Sequence, residues 1–169
     1  MIMNNFLIKG LVALMLFFSS WANAANLADD ARNRGINETC LSYLSQIDEL
    51  YSLNGLNITF AHPENPSKYP SLHISTKKYN NGSSSFSATL TPDGEYCYIS
   101  SIMITSINNQ SCSKIAEMKV ENENLQLSSY GDDSYIILTP IDESYQTILT
   151  SSNENNCTMT EARMMWPGR

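Results

Sequence analysis

The sequence has no C-x-x-C pair, only two histidines, no glycine-rich phosphate loop and few basic residues, and each shortage closes a class of function. His62 and His73 lie far from every cysteine and no C-x-x-H is present, so no zinc site of ordinary spacing is expected. The dithiol motif of a redox enzyme is missing as well. A serine hydrolase would need His62 or His73 as its base, yet no G-x-S-x-G elbow accompanies them. The absent phosphate loop argues against nucleotide chemistry. Lys and Arg number 10 against 17 Asp and Glu, a formal net charge of -7, and Lys77-Lys78 is the only adjacent basic pair. Phosphate backbones would be repelled, so a nucleic-acid partner is not expected. No cofactor and no metal are expected either.

The first residues carry a pattern of a different kind. A short polar start ending in Lys9, the apolar run from Gly10 to Phe18, and Ala22-Asn23-Ala24 reproduce the parts of a cleavable secretory signal in order. The apolar run is about half of the roughly 20 residues that a spanning helix needs. We therefore expect a signal peptide over 1–24, cleaved after Ala24, and a single secreted domain over 25–169, periplasmic or secreted. No cysteine stands at the cleavage point to carry a lipid anchor, so no transmembrane anchor is expected after cleavage. Cys40, Cys97, Cys112 and Cys157 all fall in the mature part, and an even count in an exported chain reads as a disulfide set.

Periodicity supplies the architecture. From Glu38 to Leu53, Cys40, Tyr43, Leu44, Ile47, Leu50 and Tyr51 recur at helical spacing, which predicts one buried stripe, with Asn37 as N-cap and Asn54-Gly55 as the left-handed stop. The period then becomes two. Leu56, Ile58 and Phe60 alternate with polar residues, as in a strand with that face on a core, and Leu72, Ile74 and Thr76 resume after a loop holding Pro63, Pro66 and Pro70. Asn80-Asn81-Gly82 predicts a hairpin turn before Phe86, Ala88 and Leu90. A long strand follows over Glu95 to Ile107, with Tyr96 and Tyr98 on one face and Cys97, Ile99 and Met103 on the other. Ser111 caps a short helix through Met118, and four further strands are expected at Leu125 to Tyr130, Tyr135 to Thr139, Tyr145 to Thr150 and Thr158 to Met164.

The chain thus reads as helix then four strands, twice over, without a residue-by-residue repeat. Such an order predicts an α+β fold: an antiparallel β-sheet meander covered by an N-terminal helix and a short central helix, two halves and two disulfides. An all-β sandwich or barrel with one helix is the alternative. If the long strand is straight, Cys97 lies roughly 33 Å from its end, and the five residues on to Cys112 return at most about 17 Å. That disfavours a bond between them. It leaves Cys40 with Cys97 and Cys112 with Cys157, the preferred set, or the crossed set.

Candidate chemistry is thin. Carboxylates at Glu64, Asp93, Glu95, Asp132, Asp133, Asp142 and Glu143 could serve a glycoside hydrolase, but nearly all occupy turns, where such side chains bond the local backbone. His62 and His73 are expected to be surface or half-buried, with His73 facing away from Leu72 and Ile74. Tyrosine is plentiful beside Ser, Thr and Asn, and it offers a large apolar face with a hydroxyl at low entropic cost. His62, Glu64, Tyr69, Tyr96, Tyr98 and Tyr130 are the candidate partner-binding residues. The order of elements resembles that of small secreted inhibitors built from two helix-plus-sheet repeats. The expected function is therefore a non-enzymatic, protein-binding domain, an inhibitor or immunity protein that occludes a toxin or envelope hydrolase. A structural component of the envelope or of an appendage, and a small hydrolase using turn carboxylates, are the alternatives.

Overall fold

The computed structural model describes residues 26–131 and 134–165; the expected signal peptide, Asp132, Asp133 and Trp166 lie outside the described residues. The first described element is a helix that periodicity did not foreshadow, α1 (Leu27–Asn33). Asn26 caps it by accepting from the Asp29 amide at 2.8 Å, and its Leu27, Ala28 and Ala31 are buried. Next comes α2 (Glu38–Tyr51), whose cap Asn37 accepts from the amides of Thr39 and Cys40. Cys40, Leu44 and Ile47 are buried as the periodicity requires, Tyr43 and Tyr51 are half-buried, and Leu50 is exposed. Leu41 and Asp48 complete the buried face instead.

The stop of α2 also differs from expectation. Ser52, at φ 52°, takes the left-handed turn, two residues before the Asn54-Gly55 pair. Gly55 answers another need: a Cβ there would stand 1.9 Å from the Thr76 carbonyl oxygen, so only glycine lets the chain pass that strand. Asp48, 5% exposed, accepts from the Ala28 amide at 3.0 Å and the Leu53 amide at 3.1 Å. One carboxylate thereby satisfies an orphan donor at the start of α1 and shares the Leu53 amide, just beyond the end of α2, with the Asp48 carbonyl at 3.3 Å. Burial raises its pKa above the ordinary carboxylate value, against the pull of those two hydrogen bonds.

Eight strands follow the helices in two runs. The first is β1 (Leu56–Phe60), β2 (Ser71–Tyr79), β3 (Gly82–Asp93) and β4 (Tyr96–Asn108). After α3 (Cys112–Asn122), capped by Ser111, come β5 (Leu125–Tyr130), β6 (Tyr135–Pro140), β7 (Tyr145–Asn153) and β8 (Asn156–Met165). They form one antiparallel sheet in the order β1-β2-β3-β4-β8-β7-β6-β5. The fold is α+β, and each half is a helix-led meander joined to the other through β4 and β8. Cys40–Cys97 and Cys112–Cys157 are the disulfides, each tying the first turn of a helix to the second residue of the last strand in its half. Cys97 and Cys157 stand equally far upstream of Ile102 and Ala162, which face each other across the β4–β8 pair. The two last strands are thus related by an approximate twofold at the centre of the sheet.

The three helices of the described residues lie on one face. α1 packs on β1 and β2, α2 on β3 and β4, and α3 on the strands of the second half. Two cores result, one around Phe86, Leu90, Ile99, Leu41 and Leu44, the other around Ile115, Ile136, Leu138 and Leu149. Between them runs a polar seam. The Tyr51 hydroxyl donates to Glu161 Oε1 at 2.5 Å, and Arg163 Nη2 donates to the same oxygen at 3.0 Å. The Arg163 guanidinium lies 4.8 Å from the Tyr145 ring centroid, and the Tyr145 hydroxyl donates to Glu123 Oε2 at 2.7 Å. Lys119 closes the chain on Glu123 Oε1 at 2.9 Å.

The helical cover reverses one expectation. In β1 it is Thr59 that is buried, while Leu56, Ile58 and Phe60 are exposed at 69%, 40% and 56%. His73 is likewise not surface or half-buried but fully enclosed; it does face away from Leu72 and Ile74. Its Nδ1 lies 3.2 Å from Thr59 Oγ1 and its Nε2 2.8 Å from Ser71 Oγ, so α1 covers a small set of polar groups that satisfy one another.

Candidate protein-binding face

Side chains alternate across a strand, and cross-strand partners share a face. Register therefore carries the exposed side of β1 across the whole sheet. Ile58 stands opposite Ile74, Ile74 opposite Ser87, Ser87 opposite Ile102, and Ile102 opposite Ala162. A second row runs from Ile104 through Thr160 and Ile148 to Ile137. No described helix packs on this face. Of the eighteen exposed large apolar side chains among the described residues, twelve lie on it, the six from Ile58, Phe60, Tyr96, Ile102, Ile104 and Met164 among them. Between these side chains the face is mostly Ser, Thr and Gln, with Lys78, Asp93, Asn108 and Asn156 only toward the strand ends and no charged side chain in the two central rows.

Strand directions sort the turns into two ends. The loop 61–70, the β3–β4 turn at Gly94-Glu95, the β6–β7 turn at 141–144 and the last residues of β8 share one end. Here Tyr96 and Tyr98 rise from β4, 54% and 36% exposed, near the end that carries His62, Glu64 and Tyr69. His62 is engaged within its own loop. Its Nδ1 accepts from the amides of Glu64 and Asn65 at 3.2 and 3.1 Å, and its ring stacks on Tyr69 at 4.6 Å between centroids. Tyr130 is not part of this group. It stands at the opposite end of the sheet on the far edge strand, paired with Tyr135.

A cleft of about 920 Å³ opens at the first end, where β7 begins opposite Arg163 and leaves Met164 and Met165 beyond it. Ser100, Ile102, Ala162 and Met164 line it from the open face, with Asp142, Glu143 and Gln146 beside them. Met165 turns the other way and packs on the first core. Hydrogen bonds from Ser144 hold Asp142 below the ordinary carboxylate range, the opposite of what a general acid needs at neutral pH. Among the described residues no group of three or more His, Cys, Asp and Glu side chains could hold a metal ion.

Comparison with protein-family models, with curated proteins and with solved structures finds no match. The functional reading rests on geometry.

Sequence reasoning found the tyrosines of β4 but missed the breadth of this face. Ile102, Ile104, Ile148 and Met164 belong to it and were not among the candidates. The available signal was the alternation within Glu95 to Ile107, which places Ile102 and Ile104 on the side of Tyr96 and Tyr98 and away from Cys97.

Proposed function

We propose that this chain is an exported, non-enzymatic protein-binding domain whose open sheet face occludes another folded protein, as an inhibitor or immunity protein does to a toxin or an envelope hydrolase. The observation that carries this reading is the gathering of exposed apolar and aromatic side chains on the one sheet face without helical cover. Contiguous apolar surface on a small domain is expensive to keep in water and marks an interaction site more often than chance. Tyrosine, isoleucine and methionine among Ser and Thr make the mixture found at protein interfaces. Two disulfides fit a compartment in which thiols are oxidised. They also make the sheet a rigid platform, which lowers the ordering cost of association.

The test uses the mature, oxidised chain against a panel of envelope hydrolases and exported toxins, read as loss of target activity on titration. One target should be silenced at a one-to-one ratio, and Ile102→Arg, at the centre of the face, should abolish the effect while the fold persists. If every target that is silenced is silenced equally by Ile102→Arg, or if none is, the reading is wrong.

One observation favours the second reading, a structural component of the envelope or an appendage. The edge strands β1 and β5, LNITF and LQLSSY, contain no charge and no proline, the usual devices that block strand addition. Growth of long assemblies by the purified chain, prevented by a lysine at Ser128, would favour that role instead.

A further inference from the structure

The two ends of the open face differ in charge. Glu64, Asp93, Glu95, Asp142 and Glu143 all stand exposed in the turns at the Tyr96 end, against Lys68 alone among basic residues of those turns. The opposite end carries Lys77 and Lys78, with Glu154 the carboxylate of its described turns; Asp132 and Asp133, which join Tyr130 to Tyr135 in sequence, lie outside the described residues. The cleft at the Tyr96 end pairs apolar walls, Ile102 and Met164, with the carboxylates of Asp142 and Glu143. The basic group of that cleft, Arg163, is held by Glu161 and the Tyr145 ring, and its charge also acts on Asp142.

Building on the open-face reading above, we infer that this end of the face receives a cationic protrusion of the partner protein, a lysine or arginine side chain entering the cleft. Its methylene stem lies on Ile102 and Met164, and its charged head reaches Asp142 and Glu143. Long basic side chains bury their stems on apolar surface while keeping the head beside charge or water, which is the combination this cleft offers. The remaining carboxylates around the end act at longer range. They accelerate the approach of a positively charged surface and turn it toward this end, while a partner of like charge is rejected. An uncharged partner would have no use for the asymmetry.

The probe is a phage-displayed library of disulfide-cyclised random peptides, selected on the exported, oxidised chain. Enriched peptides should carry Lys or Arg next to apolar residues. Their binding should weaken by about tenfold or more when Asp142→Asn and Glu143→Gln are combined, and again when salt rises from about 50 to about 300 mM. Asn at 142 keeps an oxygen for the Ser144 amide, so the turn survives, and unchanged thermal melts verify this. Lys77→Gln with Lys78→Gln should leave binding as it was. Enriched peptides that lose binding with Ile102→Arg but are neutral, or are indifferent to the carboxylate changes, would overturn the cationic partner and leave the open face standing. Peptides indifferent to Ile102→Arg would overturn both. A dimer in sedimentation that Ile102→Arg dissociates would make the occupant a second copy and would also overturn the proposal.

Discussion

Tyr51, the last residue of α2, donates its hydroxyl to Glu161 in the middle of β8, and with this hydrogen bond the helical cover of the first half grips the last strand of the second. Burial and the neighbouring Glu161 push the Tyr51 pKa up, so the hydroxyl stays a donor at any ordinary pH. At the other end of the seam, burial and then Glu123 push Tyr145 up to about 12. Glu123 itself is held low by Lys119 and Tyr145, against its own burial. The seam is therefore a chain of phenols donating to carboxylates, set between two apolar cores that share no buried side chain.

Tyr51→Phe removes the donor and keeps the ring against Phe86, 6.2 Å away between centroids. A hydrogen bond to a charged group contributes about 1.5 to 3 kcal/mol, and Arg163 still holds the same oxygen, so a loss near about 1.5 kcal/mol is expected. A double-mutant cycle with Glu161→Gln, read by urea denaturation, isolates the pair. A coupling close to zero would mean that this hydrogen bond does not help to join the two halves.

His73 makes stability depend on pH. Burial lowers its pKa from 6.5 to about 4, with Asp30 opposing weakly. The folded state thus prefers the neutral ring. The stabilisation is complete above the unfolded value of 6.5 and is lost as pH falls from there toward 4, by roughly 3 kcal/mol in all. Asp48 acts with the opposite sign: its raised pKa makes the folded state take up a proton more readily, which returns some stability in the carboxylate range. Urea midpoints across this window should fall with acidification in the native chain. In His73→Gln the slope between pH 6.5 and 4 should flatten.

The exposure of β1 separates two faces that look alike in sequence. Phe60→Ser should change stability by under about 1 kcal/mol, because the ring already stands in water. Phe86→Ala, on the buried side of β3, should cost about 3 to 5 kcal/mol. Thermal melts of the two variants decide it. Comparable losses would put Phe60 in a core.

This contrast also shows where the sequence was legible. Alternation identifies a strand and pairs Phe86 with Ala88 and Leu90 correctly, but it cannot say which face a helix will cover. In β1 the apolar set faces outward because α1 covers Thr59, His73, Ser71 and Ser75, which form their own hydrogen bonds or sit beneath it. That helix has only seven residues, too few for a periodic signal, so its absence from the reading and the inverted face have one cause. The disulfide pairing was within reach because β4 is continuous: its register with β3 runs unbroken from Tyr96 to Ile107. The candidate site was half legible. Tyr96 and Tyr98 follow from local alternation, whereas grouping them with Met164 and Asp142 requires the β4–β8 pairing and the β6–β7 turn, both fixed by contacts distant in sequence.

Removing either crosslink should have a large effect of nearly equal size. The loops closed by Cys40–Cys97 and Cys112–Cys157 span 57 and 45 residues, and in the chain-entropy model each closure contributes about 4 kcal/mol by restricting the unfolded chain. The lengths enter only logarithmically, so the two should differ by a few tenths of a kcal/mol at most. Paired Cys→Ser replacements, one bridge at a time, test this by denaturant unfolding. The two cores make the outcome informative beyond its size. If the Tyr51–Glu161 seam and the continuous β4–β8 pairing bind the halves into one cooperative unit, loss of the second bridge lowers the midpoint of a single transition. If it instead produces two transitions, with Leu138 and Leu149 exposed in the first, the halves unfold separately and the sheet is not the rigid platform that the open face requires.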